Sequence, residues 1–145
     1  MADTYGYGIV VYEVVNGKAH LYRAEHPTFR PDPSATNFYV GDAHIDFHQG
    51  GVMGLSLSPV VYENEHPMLY YRPLSSHALY IVNPHELKSG GRNLHVSGGH
   101  NLLLGHSQAI GQVFSSDGTL FLGLASEFSI GCWNRYKPLK IVSLM

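Results

Sequence analysis

At 145 residues the chain holds material for one domain and not for two. Nine Lys+Arg against eleven Asp+Glu give a formal net charge of −2, and no Lys/Arg run occurs, which excludes nucleic-acid binding driven by phosphate neutralisation. Hydrophobic residues at 44% and charged residues at 14% supply a core and exclude wholesale disorder.

Residues 5–15, Tyr-Gly-Tyr-Gly-Ile-Val-Val-Tyr-Glu-Val-Val, are rich in β-branched and aromatic side chains and predict a strand. The apolar run at 9–12 is far too short for a signal peptide or a membrane span. Asn16-Gly17 follows, then a second strand over 18–23. Both turn residues tolerate the positive φ of a type I′ turn, so the three pieces predict a hairpin. Pro27, Pro31 and Pro33 make 26–36 a loop. A strand over 37–40 precedes one over 43–48, where alternation sets His44, Asp46 and His48 on one face. Further strands are expected over 52–57, 68–72 and 77–82.

Asn83-Pro84-His85-Glu86-Leu87 is the one helical turn expected, with Asn83 as cap, Pro84 in the first position and Gly90-Gly91 as the stop. Ser97-Gly98-Gly99 reads as another turn. The last third predicts strands over 107–115, 119–125, 129–134 and 139–144, with Ser116-Asp117-Gly118 turning between the first two. The sum is an all-β chain of roughly ten antiparallel strands. Gly54-Leu55-Ser56-Leu57-Ser58 before Leu69-Tyr70-Tyr71 shares its grammar with Ile110-Gly111-Gln112-Val113-Phe114-Ser115 before Leu120-Phe121-Leu122. Such a repeat suits two propeller blades, and a sandwich also produces it.

His44-x-Asp46-x-His48 is the one constellation with acid/base or metal-ligating character, two imidazoles and a carboxylate on one strand face. The competing reading is a solvated face with a salt link between neighbours, because no third His or Cys ligand is fixed by spacing. The other histidines (His20, His26, His66, His77, His85, His95, His100, His106) are scattered without ligand spacing. No catalytic triad order, nucleophile elbow, Walker loop or Cys-His pair is present, and Gly6-x-Gly8 lacks the third glycine of a dinucleotide loop. No cofactor is implied. Cys132 is the only cysteine, so no internal disulfide forms, and its neighbours Ile130 and Trp133 argue for a packed site.

Four motifs, taken together, resemble one family. Asp3-Thr4-Tyr5-Gly6-Tyr7-Gly8-Ile9-Val10-Val11-Tyr12 is similar to the "D-x-x-G-x-G-I/L-V-V-Y" strand of the insect yellow and major royal jelly proteins. Gly54-Leu55-Ser56-Leu57-Ser58-Pro59 and Leu69-Tyr70-Tyr71-Arg72-Pro73-Leu74-Ser75-Ser76 resemble its "G-x-A/S-L-S-P" and "L-Y-F-x-P-L-A/S-S" pair. Ser107-Gln108-Ala109, Asp117-Gly118-Thr119-Leu120-Phe121 and Ile130-Gly131-Cys132-Trp133-Asn134 follow its "S-Q-x", "G-x-L-F-F" and "I-x-C-W-N" run. Order and spacing hold across almost the whole chain.

The resemblance implies a secreted six-bladed β-propeller, of which residues 1–145 form a single fragment of about two to three blades. It also implies a disulfide partner for Cys132 outside this chain. Open flanks would expose blade-facing residues, with Val10, Leu57, Tyr71 and Phe121 as candidates. Inner strands line a propeller's channel, which makes Ser107 and Gln108 the ligand-binding candidates near one mouth. Gln108 bonding backbone between blades is the alternative, and Trp133 and Asn134 are expected to pack and cap. The function implied is a non-enzymatic binder of small aromatic amines or catechol derivatives, or a cuticle and pigmentation factor of the melanin pathway. The alternatives are a dopachrome-converting enzyme and a nutritive secreted protein. No residue here singles out a catalytic acid or base.

Overall fold

The computed structural model describes residues 1–103, 107–140 and 142–144. Leu104, Gly105, His106, Ile141 and Met145 lie outside the described residues, and with them one of the scattered histidines and part of the strand expected over 139–144. The first sheet is a meander of β1 (Ala2–Asp3), β2 (Gly8–Val15) and β3 (Lys18–Glu25). Asn16 and Gly17 turn it with φ of 52° and 75°, so the expected hairpin forms for the expected reason. Two short 3-10 turns, Pro27–Phe29 and Pro33–Ala35, occupy the proline-rich loop, each capped by the side chain before its proline. A separate hairpin, β4 (Asn37–Val40) and β5 (Ala43–Asp46), follows.

The second sheet is β6 (Val52–Leu57), β7 (Leu69–Pro73), β8 (Ala78–Val82) and β9 (Ser97–Leu103), antiparallel and in chain order. The last sheet repeats that plan with β10 (Ala109–Phe114), β11 (Thr119–Leu124), β12 (Ser129–Asn134) and β13 (Val142–Leu144). No α-helix occurs among the described residues. The longest helical segment is the 3-10 turn Pro84–Ser89, capped by Asn83 and ended by Gly90 at φ 72°.

The sheets stack face to face. Ile9 and Ala24 of the first sheet meet Val52, Leu69, Tyr71 and Val82 of the second, with Phe29 and Leu87 brought in by the 3-10 turns. On the other face of the second sheet, Tyr70 and Leu79 meet Leu120, Leu122, Leu124 and Trp133 of the last. Alternation along β7 sends Leu69 and Tyr71 to one core and Tyr70 to the other, so every residue of that strand is buried. The architecture is all-β and antiparallel, as a propeller-type fold requires.

Two expectations are corrected. Ser97-Gly98-Gly99 is not a turn between strands but the start of β9; Gly98 and Gly99 sit at φ 85° and 66°, and the register with β8 jumps from Leu79↔Gly99 to Ala78↔Leu103. The shift follows Gly99, so positive-φ glycines border an irregularity in the ladder as they would a turn. Among the residues expected on open flanks, Tyr71 lies sealed between sheets, its ring edge-on to Phe29 at 5.0 Å and its hydroxyl 2.6 Å from Thr28 Oγ1. Leu57 is exposed at the end of β6. The apolar outer faces are instead Tyr12, Val14 and Leu21 on the first sheet, and Ile110, Val113, Ile130 and Val142 on the last.

Two glycines separate conformational strain from steric exclusion. Gly17 needs a positive φ, but a Cβ there meets nothing within 4 Å. Gly91 needs φ 93°, and a Cβ would stand 2.0 Å from the Glu25 carbonyl oxygen. Gly17→Ala is expected to cost about 1 kcal/mol, the left-handed penalty alone. Gly91→Ala should cost at least twice that or displace the 84–91 segment from β3. Thermal unfolding of the two variants checks the order; equal losses would refute it.

Candidate ligand-binding groove

Ser107 and Gln108 lead into β10 and are almost completely buried. Gln108 Nε2 donates to the Ala35 carbonyl at 2.9 Å and lies 3.4 Å from His77 Nε2, while its Oε1 accepts from Ser126 Oγ at 3.3 Å. Its own carbonyl accepts from Ala125 N at 2.8 Å. Ser107 Oγ donates to the Gln108 carbonyl and accepts from Ser126 N, both at 3.1 Å. The polar pair thus ties the last sheet to the loop around Ala35, and these bonds occupy both ends of the Gln108 amide. Its contact with a backbone carbonyl 73 residues away invites comparison with the alternative of a Gln108 bonded to backbone.

His44, Asp46 and His48 do not converge on one point. Asp46 Oδ1 sits 2.8 Å from His48 Nε2, both side chains well exposed, and His48 lies beyond the end of β5. His44 packs its ring 5.0 Å from that of Tyr39 on the paired strand. Among the described residues no three His, Cys, Asp or Glu side chains are grouped to hold a metal. Cys132 is a free thiol on β12, in register with Phe121 on one side and Val142 on the other. It is only half-buried where a packed site was expected, because Ile130 on its strand is turned out to solvent. Trp133, beside it, is buried and donates Nε1–H to the Lys137 carbonyl at 3.1 Å.

A concave feature with room for a ligand lies elsewhere. A groove of about 750 Å³ runs between the β4–β5 hairpin and the last sheet. Phe38, Val40 and Ile45 form one wall, Ile110, Leu124 and Ile130 the other, and Leu74 also lines it. Among the described residues the lining carries no charged side chain. Phe128 stands at the rim at φ 48°, a left-handed conformation that costs a bulky residue about 1–2 kcal/mol. It is 72% exposed, so this conformation is not repaid by burial of the ring. Its ring faces the β4–β5 turn, where a Cβ on Gly41 would come within 3.3 Å of it. Sequence reasoning missed the groove because its walls come from segments about 80 residues apart. The signal available was an apolar Phe128 inside an otherwise polar turn.

The Gln108 network adjoins this groove, since Ala125 belongs to both. Gln108→Leu keeps the volume but leaves the Ala35 carbonyl without its donor. The expected loss is about 1–3 kcal/mol of stability in chemical denaturation. A neutral outcome would show that the network is not needed to hold the loop.

The comparisons with known proteins agree with one another. The sequence model of the family described as "Major royal jelly protein" matches residues 1–144. Major royal jelly protein 1 of Apis mellifera is 32% identical over 143 residues, covering 97% of this chain and 31% of that protein. Major royal jelly protein 5 is 35% identical over 144 residues (97% and 22%), and major royal jelly protein 2 is 34% identical over 143 (97% and 29%). The chain therefore spans less than a third of the length of these relatives. With the motifs and the antiparallel all-β fold, the match over nearly every residue shows that the chain belongs to the major royal jelly protein family.

Proposed function

We infer that the chain is one segment, about two to three blades, of a secreted propeller-type binding protein. Its ligands in this reading are small, flat aromatic molecules, amines or catechol derivatives, serving pigmentation or cuticle chemistry. The observation that carries the reading is the apolar groove, whose size falls within the usual range for small-molecule sites. Phe38 and Phe128 offer ring faces or edges to an aromatic ligand. With no charge in the lining, an ammonium or hydroxyl group would stay at the open mouth in water while the ring is held inside. The strained Phe128 rim supports a binding role, because strain in a fold gathers where geometry is put to use.

The test is calorimetric titration of the full-length protein with dopamine and with serotonin, beside a dopachrome-decay assay. Saturable binding without faster decay is expected, and Phe128→Ala should weaken it by about 2- to 10-fold. Accelerated decay would favour the enzyme reading, and no saturable heat would remove the binding one. The apolar outer faces generate a second expectation. Further sheets of a longer chain would cover Tyr12, Val14 and Leu21 at one end and Val113 and Val142 at the other. Residues 1–145 produced alone should elute from a sizing column as aggregate. A sharp monomer peak with a cooperative melt would refute the fragment reading.

A further inference from the structure

Leu57 closes β6 and pairs with Leu69 at the start of β7, and Leu69 pairs in turn with Val82 at the end of β8. The 58–68 connection and the 3-10 turn Pro84–Ser89 therefore leave the second sheet at the same end. Leu74, which lines the apolar groove, lies past the other end of β7. At the first end is a cavity of about 510 Å³, lined by Leu57, His66, Pro67, Asn83, Pro84 and His85. That volume falls within the usual range for small-molecule sites. Leu57 is 55% exposed, an apolar side chain left open in a concavity.

The polar groups of this cavity are unspent. His66 and His85 are exposed, and neither imidazole has a hydrogen bond or ion pair among the described residues. Asn83 Oδ1 accepts from His85 N at 3.0 Å, which holds the start of the turn, and Nδ2 has no partner among the described residues. A neutral imidazole carries one donor and one acceptor, so its best complement both gives and takes a hydrogen bond, as a hydroxyl does. The walls decide what carries that hydroxyl. Leu57 and the two proline rings are saturated, and their C–H bonds suit the electron-rich face of an aromatic ring. A sugar would bring a second C–H surface and gain no such contact. Among the described residues no Lys or Arg lines the cavity to offset the burial of a carboxylate. Two imidazoles without a third His, Cys, Asp or Glu, again among the described residues, fall short of the ligand set of a protein zinc site.

We propose that this cavity binds a small phenol, its ring against Leu57, Pro67 and Pro84 and its hydroxyl hydrogen-bonded to the imidazole pair. The site shares no residue with the apolar groove and does not rest on that reading. It also differs in kind, because it takes the polar group of its ligand inside instead of leaving it at a wet mouth.

The experiment titrates the full-length protein with phenol, anisole and cyclohexanol, and follows the imidazole C–H resonances of His66 and His85, assigned by substitution. Equilibrium dialysis with radiolabelled phenol measures uptake directly. Saturable shifts of both resonances with phenol are expected in the millimolar range, as suits so small a ligand. Anisole lacks the hydroxyl proton and cyclohexanol lacks the aromatic face, and each should bind about 3- to 10-fold more weakly. His66→Ala and His85→Ala should each weaken phenol uptake by a similar factor and leave the melting temperature unchanged. Equal binding of cyclohexanol would overturn the aromatic ligand. Phenol uptake unaltered in both variants would place the phenol elsewhere and overturn the site. Shifts with Zn²⁺ and none with phenol would make the pair a metal site and overturn the proposal. If an alanine variant fails to fold, His66→Gln and His85→Gln take its place.

Discussion

The close approach of β6 to β10 is the constraint on which the stacking depends. Gln112 reaches out of β10 to bond Ser56 on β6 and the carbonyl of Tyr70 on β7, and it does so across Gly54. A side chain at position 54 would collide with that amide. One glycine thus lets a polar residue stitch two sheets at their seam, and the apolar core of Tyr70, Leu79, Leu120 and Leu122 closes behind it. Because the first sheet covers the opposite face, β7 is sealed on both sides, which antiparallel strands seldom are.

That sealing explains how the interior treats its polar groups. Tyr71 finds Thr28, Ser75 Oγ donates to the Phe47 carbonyl at 2.7 Å, and Gln108 finds Ala35 and Ser126. Each partner comes from a segment far away in sequence, so each bond also fixes a loop against a sheet. Arg72 and the Oε1 of Gln112 depart from the pattern, the first with donors left over and the second with an acceptor, among the described residues. A core this well satisfied elsewhere makes the exceptions informative.

The strand order was legible because local chemistry and tertiary structure agree. Asn16-Gly17 turns by the route its backbone preferences favour, Asn83 and Pro84 start a 3-10 turn, and β4, β6 and β12 begin and end where the apolar runs do. Position 97–99 was misread because glycines with positive φ serve a bulge as well as a turn, and only pairing with β8 separates the two. The sites were harder. Nothing local in Leu-Tyr-Tyr-Arg-Pro shows that Arg72 lacks an acceptor, since that depends on the last sheet. Tyr71 carried the apolar character expected of a flank, but neighbours on the first sheet had already claimed it.

The groove shows how the fold could join a rigid wall to a yielding one. Its far wall belongs to a four-stranded sheet with a full core behind it. Its near wall is the β4–β5 hairpin, two strands that pair with no other sheet among the described residues. Two strands alone are marginal in water, so this hairpin keeps its place through anchors outside itself. Phe47 N donates to the Thr36 carbonyl, Ser75 holds the Phe47 carbonyl, and Phe128 leans over the turn at Gly41. All three anchors lie at the ends of the hairpin, leaving Phe38 and Ile45 between them to line the groove. An element of low intrinsic stability, pinned at its ends and carrying apolar side chains between them, can adjust its spacing at small energetic cost. Phe128, in its left-handed conformation, is the contact that meets the turn end of this hairpin.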